Sequence, residues 1–364
     1  MNRGCLSVGA IRLTAIASFN ALVLLVSTSA FAQITPNNGR TIDLNRQLDQ
    51  QLDIPLNNGT QGDARNQADL LLRLGGQAQR AGFLEKAITN WLQALEIYQE
   101  LGDFQGLSLT YDYLGVTYAK LGRYQQAEDA LRRRLGVART QEDFQGQIYG
   151  LNNLGTLLLQ AGRLDAAQAT FTEALTIARS VKNQEGEGLT LSNLGLVAAT
   201  SGNYFEAIKR YQTALNLRSK SGDPLGEANT RNNLGDAQRN ANLHRDAVIA
   251  YRAALLSAEN SRDVRNQFRA LRGLVQSYSA LGEYPLAFYA LNQHTDLSQK
   301  EKNRAEELLS LRLSAQLFQA TGNLVNARDF YEQAIALAGT LGDTQEEALL
   351  RNDLAQIIYR RKVD

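Results

Sequence analysis

The side chains best suited to binding chemistry in this sequence are carboxamides that recur at a fixed spacing. Asn153, Asn193 and Asn233 stand 40 residues apart. A carboxamide both donates and accepts hydrogen bonds, so a row of them can pair with successive N–H and C=O groups of an extended peptide. The same amides can instead bridge neighbouring elements of the fold and serve structure alone. The residues leave both interpretations open.

Other polar residues occupy neighbouring positions of the same spacing. Together with the three asparagines they form the set from which we predict a peptide-binding groove: Asn152, Asn153, Asn193, Asn232, Asn233, Asp236, Arg272, Gln276 and Arg312. We expect a protein or peptide partner for this surface.

Catalytic and metal-binding motifs are missing from the sequence. The two histidines, His244 and His294, lie far apart in the chain and form no metal-ligand spacing. No Walker A loop and no Gly-x-Ser-x-Gly elbow occurs. We interpret the histidines as surface or packing residues, and the run from Arg132 to Arg134 as a solvated helix face. The sequence therefore predicts no enzyme activity, no metal, no cofactor and no small-molecule substrate.

A repeat must position these polar residues, because the chain follows the same period of 40 over residues 63–342. A Leu-Gly pair opens it at Leu74-Gly75, Leu114-Gly115, Leu154-Gly155, Leu194-Gly195 and Leu234-Gly235. A turn residue follows at Gly82, Gly122, Gly162, Gly202, Asn242, Gly282 and Gly322. Five residues later stands an alanine: Ala87, Ala127, Ala167, Ala207, Ala247, Ala287 and Ala327.

Each unit splits into two helical patterns at its turn residue. In the third unit the first pattern has apolar residues at helical spacings of three and four: Ile148, Leu151, Leu154 and Leu158. Gly162 suits a left-handed helix end, and Asp143 is a good N-cap for the first helix. The large residue four positions after each alanine fills the space beside the small ones. One hairpin cannot bury its own apolar face, so the units must stack.

Leu154, Gly155, Gly162, Ala167, Phe171 and Ala174 resemble the signature of a tetratricopeptide repeat. The longer period and the Asn-Leu-Gly sequence are similar to the 40-residue subclass of kinesin light chains and Leu-Gly-Asn scaffolds. The alternative is a HEAT-type array, whose period is also near 40. The resemblance implies an all-α fold, a right-handed α-solenoid of stacked helical hairpins with a C-terminal capping helix. It also implies that the asparagines at 153, 193 and 233 form a ladder along a bound peptide.

The two ends of the chain differ from the repeats. Residues 1–32 resemble a signal peptide, with Arg3 and Arg12 before an apolar core and Ala30-Phe31-Ala32 as the cleavage site; an uncleaved anchor is the alternative. Residues 33–62 form a polar leader, interpreted as a flexible tether or as a segment that docks through a short helix. Seven repeats are predicted over 63–342, and a capping helix over 343–364.

Charge and cysteine content limit the partners and the compartment. The chain carries 38 basic and 37 acidic residues, a net charge of +1. Cleavage would remove two arginines and change that net charge to −1, so no global basic field attracts nucleic acid. The single cysteine, Cys5, lies in the signal segment. We expect a bacterial periplasmic or secreted protein that is not inserted stably in the membrane after signal cleavage.

Two functions are compatible with these patterns. The first is a non-enzymatic scaffold that binds an extended segment of another protein in its concave groove. The second is a regulatory or assembly subunit of an envelope complex, contacted through its outer surface and its leader. They differ in whether isolated peptides bind.

Overall fold

The protein is described by a computed structural model over residues 62–360, and these residues form fifteen α-helices and no strand. The first helices of the hairpins are α1 (Gly62–Arg80), α3 (Phe104–Lys120), α5 (Phe144–Gln160), α7 (Gln184–Thr200), α9 (Pro224–Asn240), α11 (Val264–Ala280) and α13 (Arg304–Ala320). The second helices are α2 (Leu84–Leu101), α4 (Tyr124–Thr140), α6 (Leu164–Ser180), α8 (Tyr204–Ser221), α10 (His244–Asn260), α12 (Tyr284–Lys300) and α14 (Leu324–Leu341), and α15 (Thr344–Arg360) follows alone. The predicted signal peptide and nearly all of the leader, residues 1–61, lie outside the described residues, as do residues 361–364.

The helices end where the sequence places its turn residues and begin at capping side chains. Gly162 has φ +75°, and Asn242, which replaces the glycine in the fifth unit, has φ +61°. Both lie in the left-handed region that ends a helix. Asp143 accepts a hydrogen bond from the backbone N–H of Gly146, 2.8 Å away, and caps α5.

The Leu-Gly glycines make room for the large residue of the second helix. A Cβ on Gly155 would lie 2.5 Å from Cε1 of Phe171, whose ring is fully buried. Trp91, Tyr211 and Tyr251 face Gly75, Gly195 and Gly235 in the same way. The close approach therefore joins a glycine to an aromatic ring, and this contact repeats with the period of the sequence.

Substitution of Gly155 by alanine tests this contact. The new methyl group would clash with a buried ring that has no room to move, so we expect a cost of about 1–3 kcal/mol in the free energy of unfolding. Gly136 in α4 is the matched control, because a Cβ there meets no atom within 4 Å. Gly136→Ala should raise stability by roughly 0.5–1 kcal/mol, since alanine lowers the entropy cost of the helix. Urea unfolding of both variants measures the difference; equal midpoints would contradict the account.

Consecutive helices pack against each other along the whole array, and first helices of adjacent hairpins also touch. The first helices therefore form one continuous layer along the array, and we call the surface of this layer the inner face. The predicted all-α solenoid of stacked hairpins is confirmed. The helix α15 caps it: Leu350 and Ile357 are buried against the last hairpin, while Ala348, Arg351 and Ala355 are exposed.

Candidate functional site

The inner face of the array carries the predicted groove residues, and the hydrogen bonds of Asn152 show how the first of them is used. Its Nδ2 donates to the carbonyl of Ile148 at 2.8 Å and to the hydroxyl of Thr190 at 2.9 Å. Its Oδ1 accepts from Nδ2 of Asn193 at 2.8 Å. Asn152 is only 2% exposed. It therefore joins α5 to α7 from within the layer of first helices.

A second amide network joins the second and third units. Nδ2 of Asn153 donates to Asp112 Oδ1 at 3.2 Å, and Nε of Arg134 donates to Asp112 Oδ2 at 3.0 Å. Arg134 also donates through Nη1 to the carbonyl of Gly146. All the side chains of this network are buried. The Arg134–Asp112 ion pair and the amide of Asn153 thus hold α3, α4 and α5 together.

The interpretation of residues 132–134 as one solvated face is wrong for Arg134. Successive helical residues point about 100° apart, so three in a row span more than half of the helix circumference and cannot all face solvent. Arg132 and Arg133 are exposed and bond to Glu128 and Asp129 on their own helix. Arg134 instead turns inward to Asp112.

Asn232 repeats the bridging role two units further on. It is fully buried, and its Nδ2 donates to the carbonyl and to Oδ1 of Asn266 at 3.1 and 3.0 Å. Asn266 in turn donates through Nδ2 to Asp263, the N-cap of α11. Burial leaves Asn152 and Asn232 no surface for a ligand, so the structural interpretation of the amides accounts for these two positions.

Removal of Asn152 tests the bridging role. Asn152→Ala leaves Nδ2 of Asn193 without its acceptor and removes the hydrogen bond that the Thr190 hydroxyl accepts, although that hydroxyl still donates to the carbonyl of Gly186. The loss of such buried hydrogen bonds costs about 1–3 kcal/mol. We expect a loss of this size in the free energy of unfolding. Asn292→Ala, on the exposed side of α12, should change it by less than about 0.5 kcal/mol. Chemical denaturation compares the two, and equal stability would refute the bridge.

Asn193 and Asn233 are half-buried and keep part of each amide available. Asn193 uses Nδ2 for Asn152, and Asn233 uses Oδ1 to accept from Nη2 of Arg269 at 2.7 Å. Among residues 62–360 no hydrogen bond engages Oδ1 of Asn193 or Nδ2 of Asn233. The pair therefore offers one acceptor and one donor group to the inner surface.

Asp236 is the centre of a charged cluster beside Asn233. Its Oδ2 accepts from Nη2 of Arg269 at 2.8 Å, and its Oδ1 accepts from the hydroxyl of Tyr251 at 2.6 Å. Burial tends to raise the pKa of Asp236, but Arg269, Arg239 and the Tyr251 hydroxyl outweigh it and hold that pKa below the usual carboxyl range. The carboxylate stays ionised and fixes Arg269 against the groove wall.

The remaining predicted residues lie on α11 and α13. Arg272 is half-buried, and within the described part of the chain it makes neither an ion pair nor a hydrogen bond. Gln276 is exposed one turn further along α11. Arg312 donates through Nη1 to both carboxylate oxygens of Glu346, at 2.9 and 3.2 Å, and so ties α13 to α15. Arg272 is thus the groove cation with most capacity left for a ligand.

Arg269 belongs to this site, although it is not among the groove residues predicted from the sequence. The predicted groove positions lie within two residues of the leucine of each Leu-Gly pair or its equivalent, whereas Arg269 lies one turn earlier on α11. Its spacing was the available signal, because Arg265, Arg269 and Arg272 are four and three residues apart and share one helical face. No acidic residue occurs on α11 itself.

No cluster of three His, Cys, Asp or Glu side chains suited to a metal ion occurs between residues 62 and 360. His294 is fully buried, with Nδ1 2.8 Å from Ser310 Oγ and Nε2 3.3 Å from Glu306 Oε2. This agrees with a packing role. None of the fifteen helices has the length and apolar character required of a membrane span.

Comparison with known protein families identifies the repeat. The family model described as tetratricopeptide repeat matches residues 66–140, 146–204 and 186–260, which is just over half of the chain. The chain belongs to the tetratricopeptide repeat family. The HEAT alternative is therefore set aside. No curated protein sequence gives a significant match.

Solved structures share the fold of this tetratricopeptide repeat protein at low sequence identity. The apo form of RapI is similar with a TM-score of 0.56 and 17% identity, over 76% of this chain and 99% of that one. A STAND signal transduction ATPase of Pyrococcus horikoshii, which has a tetratricopeptide repeat sensor, has a TM-score of 0.60 and 16% identity, over 92% of this chain and 50% of that one. A Rap protein complexed with Competence and Sporulation Factor has a TM-score of 0.54 and 13% identity, over 94% of this chain and 93% of that one.

Proposed function

We propose that this protein is a non-enzymatic scaffold of the bacterial cell envelope that binds an extended, acidic peptide segment of a partner along its concave face. The observation that carries the proposal is Arg272, a half-buried arginine on the inner face with no partner among residues 62–360. A guanidinium in such a place is suited to a carboxylate, which it can bind through two parallel hydrogen bonds.

The surroundings of Arg272 favour an acidic ligand over a basic one. Arg265 and Arg269 lie on the same face of α11, which has no acid of its own. Arg269 is already oriented by Asp236 and Asn233, so less side-chain entropy is lost when a ligand meets it. Rim charges of one sign also select the partner and speed its association.

The half-buried amides extend the site along the array. Oδ1 of Asn193 can accept a hydrogen bond from a peptide N–H, and Nδ2 of Asn233 can donate one to a peptide C=O. This is the ladder that the resemblance to the 40-residue subclass implies, and we assign it to these two residues, with Asn153 held mainly by Asp112. A similar fold that holds Competence and Sporulation Factor supports ligand binding as the role of such an array.

Alanine substitution of both amides tests the ladder. Asn193→Ala with Asn233→Ala removes one backbone hydrogen bond at each position, each worth about 0.5–1.5 kcal/mol net. Peptides selected from a displayed random library against the wild type should bind this variant roughly 5- to 150-fold more weakly. Asn292→Ala on the outer face is the control. A lowered melting temperature with unchanged affinity would show that the amides serve structure alone.

Export is proposed from the sequence of residues 1–32 and has its own test. Cleavage after Ala30-Phe31-Ala32 should leave Gln33 as the first residue of the native protein. N-terminal sequencing of protein recovered from the envelope fraction should begin there. A chain that starts at Met1 in the soluble cytoplasmic fraction would overturn the export proposal and leave the groove proposal standing.

A second candidate function rests on apolar residues of the outer surface. Ile249 and Tyr289 are 67% and 64% exposed at equivalent positions of α10 and α12. A pocket of about 450 Å³ also opens between α2 and α4, with Tyr111 and Tyr118 in its walls. Exposed apolar patches mark protein contacts. On this alternative the protein is an assembly subunit, no library peptide binds, and Ile249→Ser with Tyr289→Ser releases the partner that co-purifies with the wild type.

A further inference from the structure

The first unit exposes two leucines at positions that are buried in every later repeat. Leu70 is 49% exposed and Leu74 is 40% exposed. Their equivalents forty residues on, Thr110 and Leu114, are 0% and 2% exposed, and the equivalents in the later repeats are buried as well. These positions face the preceding hairpin, which the first unit does not have within the described residues.

The two ends of the array are therefore unequal. At the C-terminal end α15 presents alanine and polar side chains, as a solenoid cap should. At the N-terminal end α1 presents Leu70 and Leu74, which is the surface of an interior repeat and not of a cap. A solenoid needs a polar outer face at each terminus, so these exposed leucines are a candidate docking surface.

We propose that the leader of this chain covers them, as an amphipathic helix that includes Leu44, Leu48 and Leu52 and packs on Leu70 and Leu74. The three leader leucines are four residues apart and would form one apolar stripe. On this proposal the leader covers the face of α1 that a preceding unit covers in the later repeats.

The length and charge of the chain agree with this arrangement. Nine residues separate Leu52 from Gly62, where α1 begins, and an extended segment of that length spans about 30 Å. This equals the length of α1, so the leader can turn back over it. Arg73 is exposed beside the two leucines of α1, and Asp49 lies at the border of the leader stripe with the opposite charge.

Hydrogen exchange on the whole chain tests the proposal. Leu44→Asp, Leu48→Asp and Leu52→Asp together should make the amides around Leu70 and Leu74 exchange at least about 10-fold faster, because the cover is lost. Amides of α11, far along the array, should not change and report that the protein is folded.

The control variant changes the opposite face of the leader helix by the same charge. Arg46→Asp with Gln50→Asp adds three negative charges, as the three leucine substitutions do. It should leave exchange in α1 at the wild-type rate. Equal effects of the two variants, or no effect of either, would overturn the proposal.

A reciprocal variant and a mass measurement separate the other occupants of this face. Leu70→Gln with Leu74→Gln should accelerate exchange in residues 41–53, which only a contact with the leader explains. Light scattering should give the mass of a monomer. A dimer whose protection of α1 depends on concentration would show that a second copy covers the leucines, and would contradict the leader helix.

Discussion

Arg134→Met is expected to lower the free energy of unfolding by about 3–5 kcal/mol, because it leaves the carboxylate of Asp112 buried without its charge partner. The Arg134 and Asp112 side chains are only 10% and 6% exposed, and they connect three helices of two adjacent units. In a stacked array the loss should be largest at the junction of the second and third units. Urea unfolding measures the total loss, and hydrogen exchange locates it.

The neighbouring arginine provides the matched control. Arg133 pairs with Asp129 at the surface, where both side chains are more than half exposed, and such pairs contribute about 0–1 kcal/mol. Arg133→Met should therefore be nearly neutral. Arg134→Met combined with Asp112→Leu should recover much of the stability, since a buried ion pair can often be replaced by apolar residues. Similar losses at 133 and 134 would contradict the buried network.

Arg272→Glu is expected to weaken binding of a selected acidic peptide by at least about 10- to 100-fold, because a charged hydrogen bond worth roughly 1.5–3 kcal/mol is replaced by repulsion. The fold should be little affected, since Arg272 has no partner to lose among the described residues. Titration calorimetry gives the affinity, and thermal unfolding verifies the fold.

Arg252→Glu is the control of equal charge on the outer side of α10. Arg252 is exposed there and lies on a second helix, away from the inner face. A general effect of net charge would lower the affinity of both variants alike, whereas a groove site responds only to Arg272. Equal losses would place the ligand elsewhere.

The fold was predictable from the sequence because its determinants are local and recur. The glycine at each turn, the Asp or Asn before each first helix and the glycine beside each aromatic ring repeat every 40 residues. Each has one physical reason, so the recurrence of these features fixes the hairpins. Even the exception at Asn242 follows the rule, because asparagine tolerates the left-handed conformation.

The site was less predictable because the burial and hydrogen bonding of its residues depend on side chains in adjacent units. The spacing of Asn152 and Asn193 placed both on first helices, but it did not reveal that one is buried as a bridge and the other half-buried. That outcome depends on Thr190 and on the depth of each position in the helix layer. The inward turn of Arg134 likewise depends on Asp112, 22 residues earlier.

The central claim is that the concave face around Arg272 recognises an acidic segment, and a charge exchange tests it most directly. Titration calorimetry would compare one selected acidic peptide with its counterpart in which each Asp and Glu is replaced by Lys, on wild type and on Arg272→Glu. The account predicts that wild type binds the acidic peptide, that the variant loses it, and that the variant gains affinity for the lysine peptide. Binding of the acidic peptide with equal affinity by both proteins would contradict the account.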